Sequence, residues 1–238
     1  MKRKLLVYII YSIASVSLLS GCGSTGEVVK TPPETSAVAA ADTQKEDLIE
    51  TGDSEEEPQG SVSDKPDIVW IGDSLTQGST GEDNHNENNP QAPWRIHGEI
   101  SGLNVAGAGF YGYHTHDIFW AYEEYNGLID PDVTYVYWVG SNDCHDSPND
   151  VKYVIEETDR FNERAGITRF IMLGTTNRGD MPEGSCDIFN KALSDHYGDK
   201  YLDILPYVEF GPDGVHLTEE SYAAVASAVN DKLKAMGF

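Results

Sequence analysis

Between Ile68 and Leu205, short apolar runs alternate with longer segments of mixed polarity. The runs are Ile68–Ile71, Leu103–Ala106, Val133–Gly140, Arg169–Thr175 and Lys200–Leu205. The third, VTYVYWVG, is densest in the β-branched and aromatic residues that suit a pleated surface. Between and after the runs the apolar spacing becomes helical. Val151, Val154, Ile155, Thr158 and Phe161 share one helical face, behind Ser147-Pro148 as cap and first-turn proline. Tyr222, Val225, Ala226, Val229, Leu233 and Met236 share another, behind a Thr218 cap. Such alternation predicts an α/β fold, a three-layer α/β/α sandwich around a five-stranded, mostly parallel sheet.

In sheets of this kind ligands bind beyond the carboxyl ends of the strands. Ser74 follows the first run, Gly109 to Gly112 the second, Asn142 the third, and Asp213 to His216 the fifth. Each also has a plain structural explanation. Asp73 and Ser74 are favoured helix caps, Asn142-Asp143 and Asp213-Gly214 read as turns, and His216 could pack beside the last helix. Capping and turning do not by themselves require all these groups to meet at one edge.

The chain begins MKRKLLVYIIYSIASVSLLSGC, with Lys2, Arg3 and Lys4 ahead of an apolar run from Leu5 to Leu19. A basic start, a short apolar core and small residues describe a secretory signal, here residues 1–21. The run is shorter than the ~20 residues that usually span a bilayer, which disfavours an uncleaved anchor. Residues 22–66 hold no aromatic residue and are rich in Ser, Thr, Pro, Glu and Asp, including Glu55, Glu56 and Glu57. They read as a disordered acidic tether. Residues 67–238 form the one domain with enough apolar content for a core. The formal net charge of -24 repels nucleic-acid phosphates and anionic lipid headgroups, and it falls further once the signal's cations are removed. No nucleic-acid partner is expected.

Four blocks stand in order along the domain: GDSLTQG with Ser74, GAGFYGYHT with Gly112, GSND with Asn142, and DGVHLT with Asp213 and His216. Together they resemble the SGNH hydrolase superfamily, the GDSL esterases and lipases. The resemblance implies a flavodoxin-like sheet and a serine ester hydrolase without metal or other cofactor. Ser74 would be the nucleophile, His216 the base and Asp213 its orienting carboxylate. The Ser74 and Gly112 amides and the Asn142 side chain would form the oxyanion hole. One position departs from the pattern: Gly107 stands where the family often carries Asn. Leu19-Ser20-Gly21-Cys22 similarly resembles a bacterial lipobox. It implies cleavage before Cys22, lipidation of that cysteine, and an anchor at the extracytoplasmic face of a bacterial membrane.

The residue types suit acyl transfer independently, since that reaction needs a nucleophile, a base, a group holding the base and donors for the developing oxyanion. The G-x-S-x-G elbow of α/β-hydrolases is absent. His85, His114, His116 and His145 lack zinc-binding spacing, so no metal is expected. Cys144 beside His145 does not make a thiol nucleophile, because adjacent side chains point apart. Cys144 and Cys186 are either free or bridged, and sequence leaves the choice open. Residues 79–100 read as a long polar loop near the site. Trp94, Phe110, Tyr111, Tyr113 and Trp120 lie in or near it, either as core aromatics or as a sugar-stacking surface. Trp94, between Pro93 and Arg95, is expected to be the exposed ring, with Tyr111 and Tyr113 as further substrate contacts. The expected substrate is an ester, with short acyl groups on a glycan ahead of longer acyl chains; a glycan-binding lipoprotein without catalysis is the alternative.

Overall fold

A computed structural model describes residues 65–81, 89–126 and 129–238. The expected signal, Cys22, the tether up to residue 64 and His85 lie outside the described residues. Five strands form one sheet in the order β2-β1-β3-β4-β5: β1 Ile68–Gly72, β2 Val105–Gly109, β3 Thr134–Trp138, β4 Phe170–Leu173 and β5 Tyr201–Leu202. Every pairing is parallel. This is the flavodoxin-like order, with its switch point between β1 and β3.

Alternation along each strand builds two cores. Val69, Ile71, Tyr135, Tyr137, Phe170 and Met172 face one side, against α3 (Thr115–Asn126), α5 (Val151–Ala165) and α6 (Ser185–Tyr197). Ile68, Trp70, Val136, Trp138, Ile171 and Leu173 face the other, against α2 (Pro93–Ser101) and α7 (Glu219–Ala235). The period of two residues sends neighbours to opposite faces, and both faces are covered. The central strands are therefore buried without a break. Two short helices complete the set, α1 (Ser74–Gln77) and α4 (Ser141–Asp146), each directly after a central strand.

Three local expectations change. The second strand begins at Val105 and runs on through Gly109, although its Ala-Gly-Ala-Gly composition has little intrinsic strand preference. Pairing with β1 carries it, in register from Ile68–Val105 to Gly72–Gly109. Residues 93–101, which take in the end of the expected loop, form α2, started by Pro93 in the first turn and packed against α7 and β2. Ser147 caps a 3-10 turn, Pro148–Asp150, which leads into α5; its side chain accepts from the Asn149 N–H at 3.2 Å. The Thr218 cap stands as expected, accepting from the Ser221 N–H.

Two buried titratable groups sit within this frame. Trp70 donates its indole N–H to His97 Nδ1 at 3.0 Å, and both residues are fully buried. Burial first, and Lys234 second, push His97 down to about 4. Asp73 caps α1 with Oδ1, and burial pushes its carboxyl up to about 7.

Replacing His97 by Leu strands the Trp70 N–H and is expected to cost about 1–3 kcal/mol, read as a lower urea midpoint. The pH dependence has opposing parts. A histidine lowered on folding loses stability as pH falls from its unfolded 6.5 towards about 4, because the unfolded chain takes up the proton first. An acid raised on folding holds its proton more tightly when folded, so Asp73 withdraws stability as pH rises from its unfolded 3.8 to about 7. In Asp73→Asn, which keeps an oxygen for the cap, the His97 slope stands unopposed. Stability should then climb more steeply with pH between 4 and 6.5 than in wild type; parallel curves in urea titrations would refute this assignment.

Candidate active site

β1 delivers Asp73 and Ser74 to the switch point, where the strand order reverses. Asp73, not Ser74, is the cap. Asp73 Oδ1 accepts from the Leu75 N–H at 2.9 Å and starts α1, while Ser74 is the first residue of that helix. Its hydroxyl lies 3.0 Å from His216 Nε2. Ser74 and His216 are 8% and 5% exposed, so this hydrogen bond is largely shielded from water.

Asp213 and His216 share one tight loop ahead of α7. The two carboxylate oxygens of Asp213 do different work. Oδ1 accepts from the backbone N–H groups of Val215 and His216, each at 2.9 Å, and closes an Asx turn. Oδ2 is thereby aimed at His216 Nδ1, 2.6 Å away. The spacing of three residues is what lets one side chain shape the loop and hold the ring. Burial raises the Asp213 carboxyl, but the hydrogen bonds from the His216 ring and the two amides outweigh it and hold it below the usual carboxylate value. An ionised Asp213 then favours Nδ1–H, leaving Nε2 as the acceptor towards Ser74.

Two further contacts hold this ring and its carboxylate. Tyr111 stacks on His216, with ring centres 5.5 Å apart and planes 27° apart. The chain after α1 returns over the carboxylate so closely that a Cβ at Gly81 would lie 2.2 Å from Asp213 Oδ2. Nothing in the local sequence marks Gly81 for this task, because the approach is between loops far apart in the chain.

β2 leads to Gly112, in left-handed backbone at φ 75°, and β3 leads through Gly140 to Asn142 on α4. The Asn142 amide donates Nδ2–H to the Tyr113 carbonyl at 2.9 Å, which ties the second and third blocks together. Its Oδ1 accepts from Arg178 Nη1 at 3.0 Å. Arg178 follows β4, the one strand whose carboxyl end the block pattern leaves vacant. No recognisable motif marks Arg178 in the sequence.

Trp94 is placed otherwise than expected. It is half-buried on the α7 side of the sheet, and its ring fills the space over β2: a Cβ at Gly107 would meet Trp94 Cγ at 2.2 Å. Arg95 covers its other surroundings, 4.2 Å from the ring centre. The missing Asn at Gly107 thus has a steric reason. Tyr113 and Trp120 are the exposed rings instead, at 42% and 58%. Phe110 lies between Tyr113 and Tyr125, nearly parallel to both.

Cys144 and Cys186 are free and buried, and burial pushes both thiols up, Cys186 to about 11. Neither is suited to be a thiolate. His114 and His145 lie within 3.6 Å of carboxylate oxygens of Asp143, Asp146 and Asp180, and His116 Nδ1 lies 3.1 Å from Glu157. No group of three or more such side chains able to hold a metal lies among the described residues. Nor is any described helix long and apolar enough to cross a membrane.

No family model matches the chain, and no curated protein matches it in sequence. Solved structures do match in fold. A carbohydrate acetylesterase family member from Sinorhizobium meliloti is 17% identical, with 71% of this chain and 97% of that chain covered at a TM-score of 0.55. A lipase/acylhydrolase from Enterococcus faecalis is also 17% identical, covering 71% of this chain and 95% of its own at 0.57. A member of the lipolytic protein G-D-S-L family from Veillonella parvula DSM 2008 is 19% identical, covering 69% and 96% at 0.55. The chain has the α/β fold of these three proteins, aligned over nearly the whole length of each of them.

Proposed function

We propose that this chain is a serine carboxylic ester hydrolase of the SGNH type. The observation that carries the reading is the continuous chain Ser74 Oγ, His216 Nε2, His216 Nδ1, Asp213 Oδ2, linked at 3.0 and 2.6 Å. In this reading Ser74 Oγ attacks the ester carbonyl while His216 Nε2 takes its proton. Asp213 holds the other ring nitrogen and stabilises the imidazolium that forms. The carbonyl oxygen becomes an oxyanion, received by the Ser74 and Gly112 amides and by Asn142 Nδ2–H. His216 returns the proton to the departing alcohol, leaving an acyl-serine. Water, deprotonated by His216, then attacks the acyl group; the Oγ–acyl bond breaks, His216 returns the proton to Ser74 Oγ, and the carboxylic acid leaves.

The favoured substrate is a short-chain ester, an acetyl group, on a carbohydrate. Support comes from aromatic surface beside the oxyanion donors: Tyr113, whose carbonyl holds Asn142, leaves 42% of itself exposed, and Tyr125 beyond Phe110 leaves 75%. Exposed tyrosines beside amides suit the apolar faces and hydroxyl edges of sugars. A relative in fold described as a carbohydrate acetylesterase family member agrees with this choice. Esters with longer acyl chains are the second reading, in keeping with the lipase/acylhydrolase fold relative. The extracytoplasmic, lipid-anchored location through Cys22 remains part of the proposal, resting on the lipobox-like Leu19-Ser20-Gly21-Cys22. Intact-mass and lipid-labelling measurements on membrane fractions, with Cys22→Ser as control, test it; label that persists in the variant would refute it.

For the chemistry, Ser74→Ala should abolish turnover of p-nitrophenyl acetate with the urea midpoint unchanged. Retained turnover would remove Ser74 as nucleophile. Asn142→Ala should lower kcat by about 10²–10³ and leave a residue of activity from the two backbone donors. A preference for p-nitrophenyl octanoate over acetate would move the substrate to long-chain esters. Binding of polysaccharide without any ester turnover would favour the glycan-binding alternative.

A further inference from the structure

The loop that follows β4, residues 174–184, is held against both halves of the site. At its start, Thr175 N–H donates to Asn190 Oδ1 at 2.7 Å, and Asn190 Nδ2 donates back to the Thr175 carbonyl at 3.0 Å. Further along, the Gly179 N–H donates at 2.7 Å to the carbonyl of Gly214, which lies between Asp213 and His216. Arg178 therefore projects from a segment pinned to α6 on one side and to the Asp213–His216 loop on the other. Its side chain is only 11% exposed.

The guanidinium is divided between two acceptors. Nε and Nη2 form a fork on Asp180, at 3.1 and 2.8 Å to its two oxygens. That fork fixes the plane and leaves Nη1 directed at Asn142 Oδ1, 3.0 Å away. A guanidinium can only donate, and the Tyr113 carbonyl can only accept. The Asn142 carboxamide thus has one compatible orientation, with Oδ1 towards Arg178 and Nδ2 towards Tyr113. One amide hydrogen is committed to Tyr113, and the other remains for a further acceptor. A positive charge on Oδ1 also draws electron density from the amide and makes Nδ2–H a stronger donor.

We propose that Arg178 is a positioning residue for ester hydrolysis, fixing and polarising the Asn142 amide that receives the oxyanion. The proposal rests on the serine-hydrolase reading. Arg178 need not touch substrate. A charge already engaged by Asp180 and Asn142 is poorly placed to bind an anionic substrate, and its effect belongs in the transition state, where the oxyanion exists.

The test is a double-mutant cycle on the full chain, with p-nitrophenyl acetate as the neutral probe. Arg178→Met should lower kcat by about 10–10², less than loss of the donor itself, with KM within about twofold. In an Asn142→Ala background the same substitution should change kcat by less than about twofold, because the group it positions is gone. Arg178→Lys should recover part of the loss, since a lysine supplies a donor to Oδ1 without the fork. Asp180→Asn, which keeps Arg178 but loosens it, should fall between wild type and Arg178→Met, and it serves as the test if Arg178→Met fails to fold. Equal losses in both backgrounds, a change confined to KM, or unchanged kcat in Arg178→Met and Asp180→Asn would each overturn the assignment. Wild-type protein that does not hydrolyse the ester would instead overturn the serine-hydrolase reading on which it stands.

Discussion

Parallel pairing of β1 with both β2 and β3 is the constraint on which the rest of the molecule depends. It places the carboxyl ends of the three strands at one edge, in register at Gly72, Gly109 and Trp138. The segments leaving that edge carry Ser74, Gly112 and Asn142. β4 adds Arg178 and the chain after β5 adds Asp213 and His216, although neither strand is long. With both faces of the sheet covered by helices, the edge is the region left for a ligand. A single antiparallel strand in this sheet would have sent one of these groups to the opposite end.

Charge at the site is arranged by who is buried and who is paired. Asp73, next to Ser74, is buried without a counter-ion in hydrogen-bond contact, and its carboxyl is pushed up to about 7. Asp213 is more open and accepts three hydrogen bonds, so it stays ionised. Two carboxyl groups at one edge thus have distinct roles, one shaping α1 and the other holding His216. Arg178 introduces positive charge into a strongly acidic chain, and its fork on Asp180 fixes where that charge points.

Local signals in the sequence were enough to name the sheet strands, the Ser74 turn and the Asp213–His216 loop. Ser74 ends an apolar strand, and the Asx turn at Asp213 depends on neighbours only two and three residues away. What escaped depended on distant parts of the chain. Gly109 belongs to β2 because β1 pairs with it, and the polar residues around α2 hid an apolar face that α7 and the sheet cover. Trp94 looked like an exposed ring between Pro93 and Arg95, yet the absence of a side chain at Gly107 gives it a place on the sheet. Arg178 meets Asn142 across 36 positions, with no motif to announce it. Cys144 on α4 and Cys186 on α6 are free thiols, although Cys144 Sγ reaches the carbonyl of Ser185 beside Cys186.

In the proposed hydrolase, Ser74 is activated by the His216–Asp213 pair. The most direct measurement is intact-mass analysis and peptide mapping after treatment with a fluorophosphonate, which forms a covalent bond only with an activated hydroxyl. Wild type should gain a single adduct, mapped to Ser74, with loss of fluoride. His216→Ala, which keeps the serine but removes its base, should react far more slowly. An adduct mapped to another residue, or equal labelling rates with and without His216, would contradict the account.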